Sequence, residues 1–500
     1  MKKTVVLKVF ILAVAMVISM AAMTGCESIF GASEGLVFTS NGDGTCYVSQ
    51  RVNYRGRDKK IVIPSVSPNG DRVVGIGEKA FINYDMREVI IPNTVTYIDD
   101  FAFGYCTKLK SITIPDSVTS IGECVFSDCY RLTEINVDVN NENYKSIDGN
   151  LYTKDGKTLV SYAVGETLIQ SAFRKPNAEY TIPDGVTTIY GGAFEGCRTL
   201  TLVNIPESVI TICDRVFWDC TRLKSINIPD SVTIIGSGAF KDCTSLESIT
   251  IPDSVTSIGE MAFGGCTSLT EITVNENNEN YKSIDGNLYS KDGKTFIQYV
   301  FGKDAAEFTI PDGVTSIGDK AFWGCISLTS VTIPDSVTSI GDLAFCGCHS
   351  LTSVTIPDGV TSIGGWAFAG CTSLASITIP DGVTSIGDRA FSGCTSLTSI
   401  NIPDSVTSIG SGAFDGCTSL TSINIPDSVT RIGVWAFYDC KNITFIVIPD
   451  SVTHIDSWAF AFVSCTSFTI YCEAESKPEG WSKDWNSSNF PVVWGYTGEE

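Results

Sequence analysis

Two histidines, His349 and His454, are the only side chains of this 500-residue chain whose ordinary pKa suits proton transfer near neutral pH. His349 closes the sequence Cys346-Gly-Cys348-His349, whose thiols and imidazole are ligands that zinc prefers. Three clustered donors without a fourth are a weak zinc signal. Serine and aspartate recur so often that no nucleophile, base and orienting group stand out as a catalytic set. The sequence therefore predicts no enzyme, no metal site and no cofactor.

The charge balance of the chain disfavours anionic partners. Lysine plus arginine number 34 and aspartate plus glutamate number 56, which leaves a formal charge of −22 at pH 7. Such a surface repels phosphate backbones, so we expect no nucleic-acid binding. Hydrophobic residues make up 43% of the chain and charged residues only 18%. This composition predicts a folded chain with a buried core.

Most of the prolines recur at an interval of 23 residues. A period of roughly 20 to 50 residues is typical of a solenoid, in which each unit buries its apolar side against its neighbours. Pro64 opens the series one longer unit before the others. The prolines in register are Pro92 and Pro115, then Pro183, Pro206, Pro229 and Pro252, and finally Pro311, Pro334, Pro357, Pro380, Pro403, Pro426 and Pro449.

The unit at residues 394–414 shows which element each phase of the repeat predicts. Ile400 and Ile402 alternate with polar residues, the two-residue period of a strand with one buried side, so neighbouring units should pair as a parallel sheet. Pro403 ends the strand because proline presets φ and lacks an amide donor. The Ala-Phe segment that closes the unit is too short for a stable helix, and we expect a single helical or 3₁₀ turn there.

This unit resembles the leucine-rich repeat of the BspA-like bacterial surface proteins. It has their pattern Cys-x-x-Leu-x-x-Ile-x-Ile-Pro followed by Val-x-x-Ile-Gly-x-x-Ala-Phe, and some fourteen units carry the pattern between Val62 and about Ile470. The resemblance implies a β-rich leucine-rich-repeat solenoid, right-handed and open-ended, that is exposed on a cell surface and used in adhesion or protein binding. It implies no particular ligand.

Two interruptions and two ends complete the predicted organisation. A segment with two Asp-Gly turns at residues 143–157 recurs almost unchanged at residues 280–294, which favours β-hairpins. The ends need caps because an uncovered terminal unit would expose apolar edges. We predict an amino-terminal hairpin cap at 36–60, a solenoid at 61–470 with hairpin insertions at about 138–181 and 275–309, and an aromatic carboxy-terminal cap at 471–500.

The amino-terminal residues indicate export. Two lysines precede an apolar run over residues 5–22, which is typical of a signal peptide. The run ends in small residues followed by Cys26, which resembles a bacterial lipobox. We predict a lipoprotein signal peptide at 1–25, diacylation of Cys26 and a tether at 26–35 that leaves the protein anchored to a membrane. Secretion with cleavage elsewhere and an uncleaved anchor are the alternatives.

Most of the 19 cysteines fall at one phase of the repeat, 14 residues after a repeat proline. One cysteine per unit places the thiols in a column at a spacing of about 4.8 Å with parallel side chains. A disulfide needs converging side chains with Cβ atoms about 3.8 Å apart. We therefore expect buried free thiols that act as small hydrophobic side chains.

Two columns of the repeat vary from unit to unit and hold five of the eight tryptophans. One column lies two positions before the repeat phenylalanine and the other directly after it. Because tryptophan and arginine are enriched in binding hot spots, we interpret the stripe that they form as a candidate recognition ridge. Variation without function at solvated positions is the alternative. The recognition ridge comprises Trp218, Trp323, Trp366, Arg389, Trp435 and Trp458.

These inferences predict a lipid-anchored bacterial surface protein that binds extracellular, host or neighbouring-cell proteins through its repeat surface. Weak contacts repeated along such a surface add through effective concentration. A carbohydrate-binding surface protein, which would bind glycans on the hydroxyl-rich strand face or on the cap aromatics, is the first alternative. A structural surface coat without a specific ligand is the second.

Overall fold

The computed structural model describes most of the chain, and its regular elements are all β-strands. The described residues are 33, 35–49, 59–163, 178–303, 305–461 and 468–498. They contain no helix that could cross a bilayer. They divide into two compact units: the first runs to Thr244 and includes Ser257–Ala262, and the second holds Ser245–Thr256 and the residues from Phe263 onward. The predicted signal peptide and the lipidation site Cys26 lie outside the described residues.

The described part of the first unit contains five sheets. A five-stranded sheet comprises Val37–Ser40, Thr45–Ser49, Arg72–Ile76, Tyr97–Ile98 and Ser120–Ile121. A seven-stranded sheet comprises Tyr144–Ile147, Asn150–Thr153, Thr158–Ser161, Thr188–Ile189, Thr211–Ile212, Ile234–Ile235 and Ser257–Ile258. The smaller sheets pair Lys60–Val62 with Glu88–Ile90, Ser111–Ile114 with Glu134–Val137, and Ala178–Thr181 with Leu200–Asn204 and Ser225–Ile226.

The described part of the second unit contains four sheets. A ten-stranded sheet comprises Tyr281–Ile284, Asn287–Ser290, Thr295–Gln298, Ser316–Ile317, Ser339–Ile340, Ser362–Ile363, Ser385–Ile386, Ser408–Ile409, Arg431–Ile432 and His454–Ile455. A six-stranded sheet comprises Glu307–Thr309, Ser330–Thr332, Ser353–Thr355, Ser376–Thr378, Ser399–Asn401 and Ser422–Ile423. The smaller sheets pair Ser248–Ile251 with Glu271–Val274, and Phe445–Ile448 with Thr469–Cys472 and Val492–Trp494.

Consecutive coils pair in parallel at the interval that the prolines predict. In the second unit Ile400 lies opposite Ile423 in one sheet, and Ile409 lies opposite Ile432 in another. Each of these coils contributes two strands, and the four isoleucines are buried. The predicted parallel β-solenoid is thereby confirmed: a strand's backbone groups are satisfied by the coils before and after it, as buried amides and carbonyls require.

The Ala-Phe side of each coil is not helical, and the expectation of a helical or 3₁₀ turn there is wrong. Trp366 and Gly370 have φ angles of 59° and 71°, values that a right-handed helix cannot contain. Alternate amides reach the next coil instead. Trp366 N–H donates to Asp388 O at 2.8 Å, and Phe368 N–H donates to Ala390 O at the same distance. This side is therefore a third hydrogen-bonded ladder between coils.

Phenylalanine rings stack face to face through the core. The ring centroids of Phe345 and Phe368 lie 5.2 Å apart with an interplanar angle of 3°. In the second unit this stack continues from Phe296 to Phe460 without a break. Because the register fixes the position of each neighbour, the coils cannot close the cavity that a missing ring would leave, and such cavities are costly.

The cysteine column lies beside these rings, and its thiols donate to the preceding coil. Cys394 Sγ lies 3.2 Å from Phe368 O, and Cys417 Sγ lies 3.2 Å from Phe391 O. Phe368 O also accepts the backbone amide of Cys371 at 3.2 Å. A thiol suits this position because it is small and largely apolar yet still offers a donor. All the cysteines that the structure describes are free.

Polar side chains after the repeat proline fasten each turn to the coil before it. Ser428 Oγ donates to Val406 O at 2.6 Å, and the same bond recurs along the repeat. At the second interruption, Asn278 takes over this function. Its Nδ2 donates to Pro252 O at 2.8 Å and to Val255 O at 3.0 Å. The Pro-Asp-Ser motif is thus a link between coils as well as a turn.

Both interruptions contain a three-stranded antiparallel meander. The last strand of each meander, Thr158–Ser161 or Thr295–Gln298, then pairs in parallel with a strand of the following coil. At the amino end Val37–Ser40 and Thr45–Ser49 form an antiparallel hairpin. At the carboxy end Trp485 is buried, and its ring centroid lies 6.0 Å from that of Phe460.

The buried thiols make the stability of the solenoid fall at alkaline pH. Burial raises the pKa of Cys394 from its ordinary value of 9.0 to about 12. Below the ordinary pKa the thiol is protonated in both the folded and the unfolded chain, so its contribution to the free energy of unfolding does not change with pH. Above it the unfolded chain releases the proton that the native coil keeps, so the free energy of unfolding falls by about 1.4 kcal/mol per pH unit for this thiol.

Denaturant titrations of the unmodified protein and of Cys394→Ala, from about pH 8 to about pH 11, measure this dependence. We expect a shallower decline for the variant because one raised thiol pKa is gone. Ser399→Ala, an exposed change on a strand of the same coil, is the control and should leave the slope unchanged. Equal slopes for Cys394→Ala and the unmodified protein would contradict the buried thiol column.

Candidate recognition surface

Every residue in the column two places before the repeat phenylalanine has a left-handed backbone. The φ angles of Trp366, Trp435 and Trp458 are 59°, 57° and 66°, and Gly412 in the same column has 60°. A residue with a Cβ pays roughly 1–2 kcal/mol in this conformation because Cβ approaches a carbonyl oxygen. The column therefore holds bulky side chains at positions where glycine would be less strained.

Three tryptophans of the recognition ridge are exposed in the second unit. The exposed fractions of Trp366, Trp435 and Trp458 are 39%, 42% and 49%. Trp366 already has a partner from the next coil, since Arg389 Cζ lies 4.6 Å from its ring centroid. A guanidinium over an indole at this distance is a cation–π contact. In the described part of the chain, no cation lies over the ring of Trp435 or Trp458.

An open groove of about 310 Å³ lies among these side chains. We call it the aromatic groove, and its lining residues are Arg389, Asp415, Trp435, Tyr438 and Trp458. The groove exists because the column has no side chain at Gly412, between Arg389 and Trp435. A Cβ at Gly412 would lie 3.0 Å from Arg389 Cγ and 3.6 Å from Asp415 Cβ. Two indoles, a phenol, a guanidinium and a carboxylate thus surround an open space.

One carboxylate, Asp415, and one guanidinium, Arg389, line the aromatic groove. Burial raises the pKa of Asp415; the charge of Arg389 opposes this rise, and the charge of Asp439 adds to it. Asp439 Oδ2 lies 3.2 Å from Lys441 Nζ. Asp439 Oδ1 is buried and accepts no hydrogen bond from the described residues. A buried carboxylate oxygen is normally paired, but Asp439 does not line the groove and acts on it only through its charge.

The corresponding region of the first unit is filled by the chain's own cations. Arg215 Cζ lies 4.0 Å from the ring centroid of Trp218, and Lys241 Nζ lies 4.1 Å from the same ring. Arg215 Cζ is also 4.9 Å from the ring centroid of Phe101. Trp218 is half-buried as a result. The same two columns therefore give a closed cluster in one unit and an open groove in the other.

A buried ion pair holds Arg215 beneath this cluster. Arg215 Nη2 lies 2.8 Å from Glu195 Oε1, and the Glu195 side chain is only 2% exposed. Ser127 Oγ donates to the other Glu195 oxygen at 2.8 Å. Although burial opposes the charged form, the hydrogen bond and charge of Glu195 keep the pKa of Arg215 above its usual value. Burial, with the charge of Glu195, raises the pKa of the Cys124 thiol, which makes it a poor nucleophile.

The structure brings part of the predicted recognition ridge together. Arg389 contacts Trp366 and lines the aromatic groove with Trp435 and Trp458. Trp323 lies in the same unit but does not line this groove, and Trp218 belongs to the first unit. The sequence-based ridge omitted Asp415 and Tyr438. Both directly follow a repeat phenylalanine. A search for all the residues of the two variable columns in the coils next to Gly412 would have included them.

The zinc-like sequence has other contacts in the structure. Cys348 Sγ donates to Phe322 O at 3.1 Å, as the other thiols of its column do. His349 Nδ1 lies 2.8 Å from Gly370 O. Among the described residues no group of three or more histidine, cysteine, aspartate or glutamate side chains is placed to hold a metal ion. The geometry at this position is that of a repeat coil.

Short coils that pair in parallel, with buried leucine and isoleucine and a phenylalanine stack, define a leucine-rich-repeat protein. The family described as the BspA type leucine rich repeat region matches the chain at residues 74–164, 166–292, 294–417 and 366–479. These matches cover most of the chain. The chain therefore belongs to the BspA-type leucine-rich-repeat family.

Several solved bacterial structures are similar to the chain. A leucine rich cell surface protein from Faecalibacterium prausnitzii is 32% identical; the match covers 78% of this chain and 93% of that one, with a TM-score of 0.45. A leucine-rich repeat protein from Eubacterium ventriosum is 24% identical over 90% and 96%, with a TM-score of 0.50. One from Bacteroides ovatus is 29% identical over 88% and 99%, with a TM-score of 0.39. A comparison with curated proteins gives no match.

Substitutions at Lys79 test the left-handed backbone of the column. Lys79 is exposed, has a φ of 55° and pairs with Glu78. We expect Lys79→Val to be less stable than Lys79→Asn by about 1 kcal/mol, because asparagine tolerates the left-handed region and a β-branched residue does not. Both variants remove the ion pair, so the difference between their denaturant midpoints isolates the backbone. Equal midpoints would show that the column is not left-handed.

The ion pair of Arg215 and Glu195 should matter far more than an exposed pair of similar length. Arg215→Ala leaves a buried carboxylate unpaired, so we expect the free energy of unfolding to fall by about 3 kcal/mol or more. Arg431 pairs with Asp456 at 2.7 Å with both side chains partly exposed. Arg431→Ala should therefore cost less than about 1 kcal/mol. Urea titration measures both, and a small loss for Arg215→Ala would refute the structural importance of the buried pair.

Proposed function

We propose that this protein is displayed on a bacterial cell surface and binds proteins of a host or of neighbouring cells, with the aromatic groove at the centre of its contact surface. The exposure of Trp366, Trp435 and Trp458 on nearby coils carries the proposal. Tryptophan is among the residues that contribute most to binding when a partner excludes water from it.

The surface location is supported by relatives and by the amino-terminal sequence. The chain belongs to the BspA-type family, and the relative from Faecalibacterium prausnitzii is described as a cell surface protein. A diacylated Cys26, which stays a prediction, would supply the anchor. Each acyl methylene contributes about 0.8 kcal/mol to membrane binding, so two chains would hold the protein on a bilayer.

The repeat also suits binding to extended partners. Neighbouring coils present side chains at the same positions, so a partner that contacts several coils gains from effective concentration. The proposed role is binding without catalysis. Two indoles, a phenol, a guanidinium and a carboxylate favour contact with a partner, whereas nucleophilic chemistry needs a nucleophile beside a base.

Removal of the three exposed indoles tests the proposal. The variant Trp366→Ala/Trp435→Ala/Trp458→Ala should capture at least about tenfold less protein from extracellular-matrix and cell-surface extracts than the unmodified protein. The fold should be unchanged because these side chains lie outside the core. Quantitative mass spectrometry of the captured proteins gives the comparison, and circular dichroism confirms the fold.

The control is a triple change on the hydroxyl-rich strand face, Thr355→Ala/Thr378→Ala/Asn401→Ala, whose residues are exposed in the same unit. It should bind as the unmodified protein does. If only the strand-face variant loses binding, or if deglycosylation of the extract abolishes capture, the surface binds carbohydrate instead. No saturable capture by any form would favour a structural coat.

A further inference from the structure

The indole faces of this protein already bind cations of the chain itself. Arg389 lies over Trp366, and both Arg215 and Lys241 lie over Trp218. Three cationic side chains therefore lie over two indole rings, one ring in each unit. Trp435 and Trp458, by contrast, face open space, and within the described residues neither ring has a cation over it. The fold thus shows which chemical group its tryptophans accept.

The two units place different residues at equivalent positions of the repeat. In the first unit the column runs Arg215 then Gly238, and Lys241 follows the repeat phenylalanine of the glycine coil. In the second unit it runs Arg389 then Gly412, and Asp415 stands where Lys241 would be. A Cβ at Gly238 would lie 3.6 Å from Trp218 and 3.7 Å from Lys241, so these two side chains cover Gly238.

In the second unit the stem of Arg389 lies against Gly412, and the aromatic groove beside it stays open. Ser392 stands where Trp218 would be, and it is too small to fill the space. Asp415 supplies a carboxylate in place of an ammonium. Asp439, whose charge reaches Asp415, keeps one buried oxygen without a donor among the described residues. The guanidinium of Arg389 lies over Trp366, so it leaves the other two indoles uncovered.

We propose that the aromatic groove receives an arginine or lysine side chain from a basic segment of a protein partner. The alkyl stem packs on Trp435, Tyr438 and Trp458, and the cationic head pairs with Asp415. This inference rests on the proposed protein-binding function and specifies its partner. Burying an aromatic-flanked cation beside a carboxylate combines a cation–π contact with a charge-assisted hydrogen bond. A chain with a net charge of −22 also attracts basic partners at long range.

A matched pair of peptides tests the inference directly. The first is a Gly-Ser peptide of about ten residues with two arginines, and the second carries citrulline, the neutral analogue, in their place. Titrated into the intact protein and followed by tryptophan fluorescence and calorimetry, the arginine peptide should bind at least about tenfold more tightly, because only it carries a cation. A lysine version should bind as well.

Two variants with the same change of charge locate the site. Asp415→Asn removes the carboxylate of the groove, whereas Asp404→Asn removes an exposed carboxylate of a turn after a repeat proline. We expect Asp415→Asn to reduce binding of the arginine peptide by about tenfold and Asp404→Asn to leave it nearly unchanged, since long-range attraction is screened by salt. Trp435→Ala should weaken both peptides. Unchanged thermal unfolding of each variant shows that its fold is intact.

The results separate this inference from the proposed function. Equal binding of the arginine and citrulline peptides, or equal loss in Asp415→Asn and Asp404→Asn, overturns the cationic occupant. Preferential binding of a neutral glycan in the groove overturns it too. If the triple alanine variant still loses captured protein in those cases, protein binding through the ridge stands and only its partner chemistry is wrong. If the triple variant binds as the unmodified protein does, the proposed function itself fails.

Discussion

The register between consecutive coils is the constraint on which the other features depend. Each coil bonds to the next through two strands and through the amides of the Ala-Phe side, as at Ile400 with Ile423 and Phe391 with Ala413. A slip by one residue would turn every buried side chain outward, so the pairing admits a single alignment. With the alignment fixed, a residue's position in the repeat decides its neighbours. Rings therefore meet rings, and thiols meet the carbonyls of phenylalanines.

The same constraint separates the conserved interior of the repeat from its variable surface. A change at Phe368 would disturb the rings above and below it, because their distance is set by the backbone ladders. A change at Trp366 alters a half-exposed side chain and its contact with Arg389 of the next coil, and it leaves the core rings in place. The column already tolerates glycine, lysine, leucine, arginine and tryptophan. New contacts can thus be built there without altering the core.

Periodicity alone sufficed to predict the solenoid, since the spacing of the prolines and the alternation at Ile400 and Ile402 have one structural interpretation. The turn conformation could not be predicted in this way. Left-handed backbone is signalled by glycine or asparagine; Trp366 carries no such signal, and only the glycines at equivalent positions of the repeat, such as Gly412, do. The hydrogen bonds from Asn278 to the preceding coil could not be predicted either, because their acceptors lie more than twenty positions earlier in the sequence.

The aromatic groove could be predicted only in part for a related reason. Its tryptophans were identified by type, but its shape arises from a missing side chain at Gly412 next to the long stem of Arg389. A groove of this kind is a property of adjacent coils and not of any single unit. Because two columns three residues apart determine whether the space is filled by a cation or left open beside a carboxylate, exchanging a few residues changes what the surface can bind. Recognition in such a repeat is therefore specified by differences between units, while the fold is specified by what the units share.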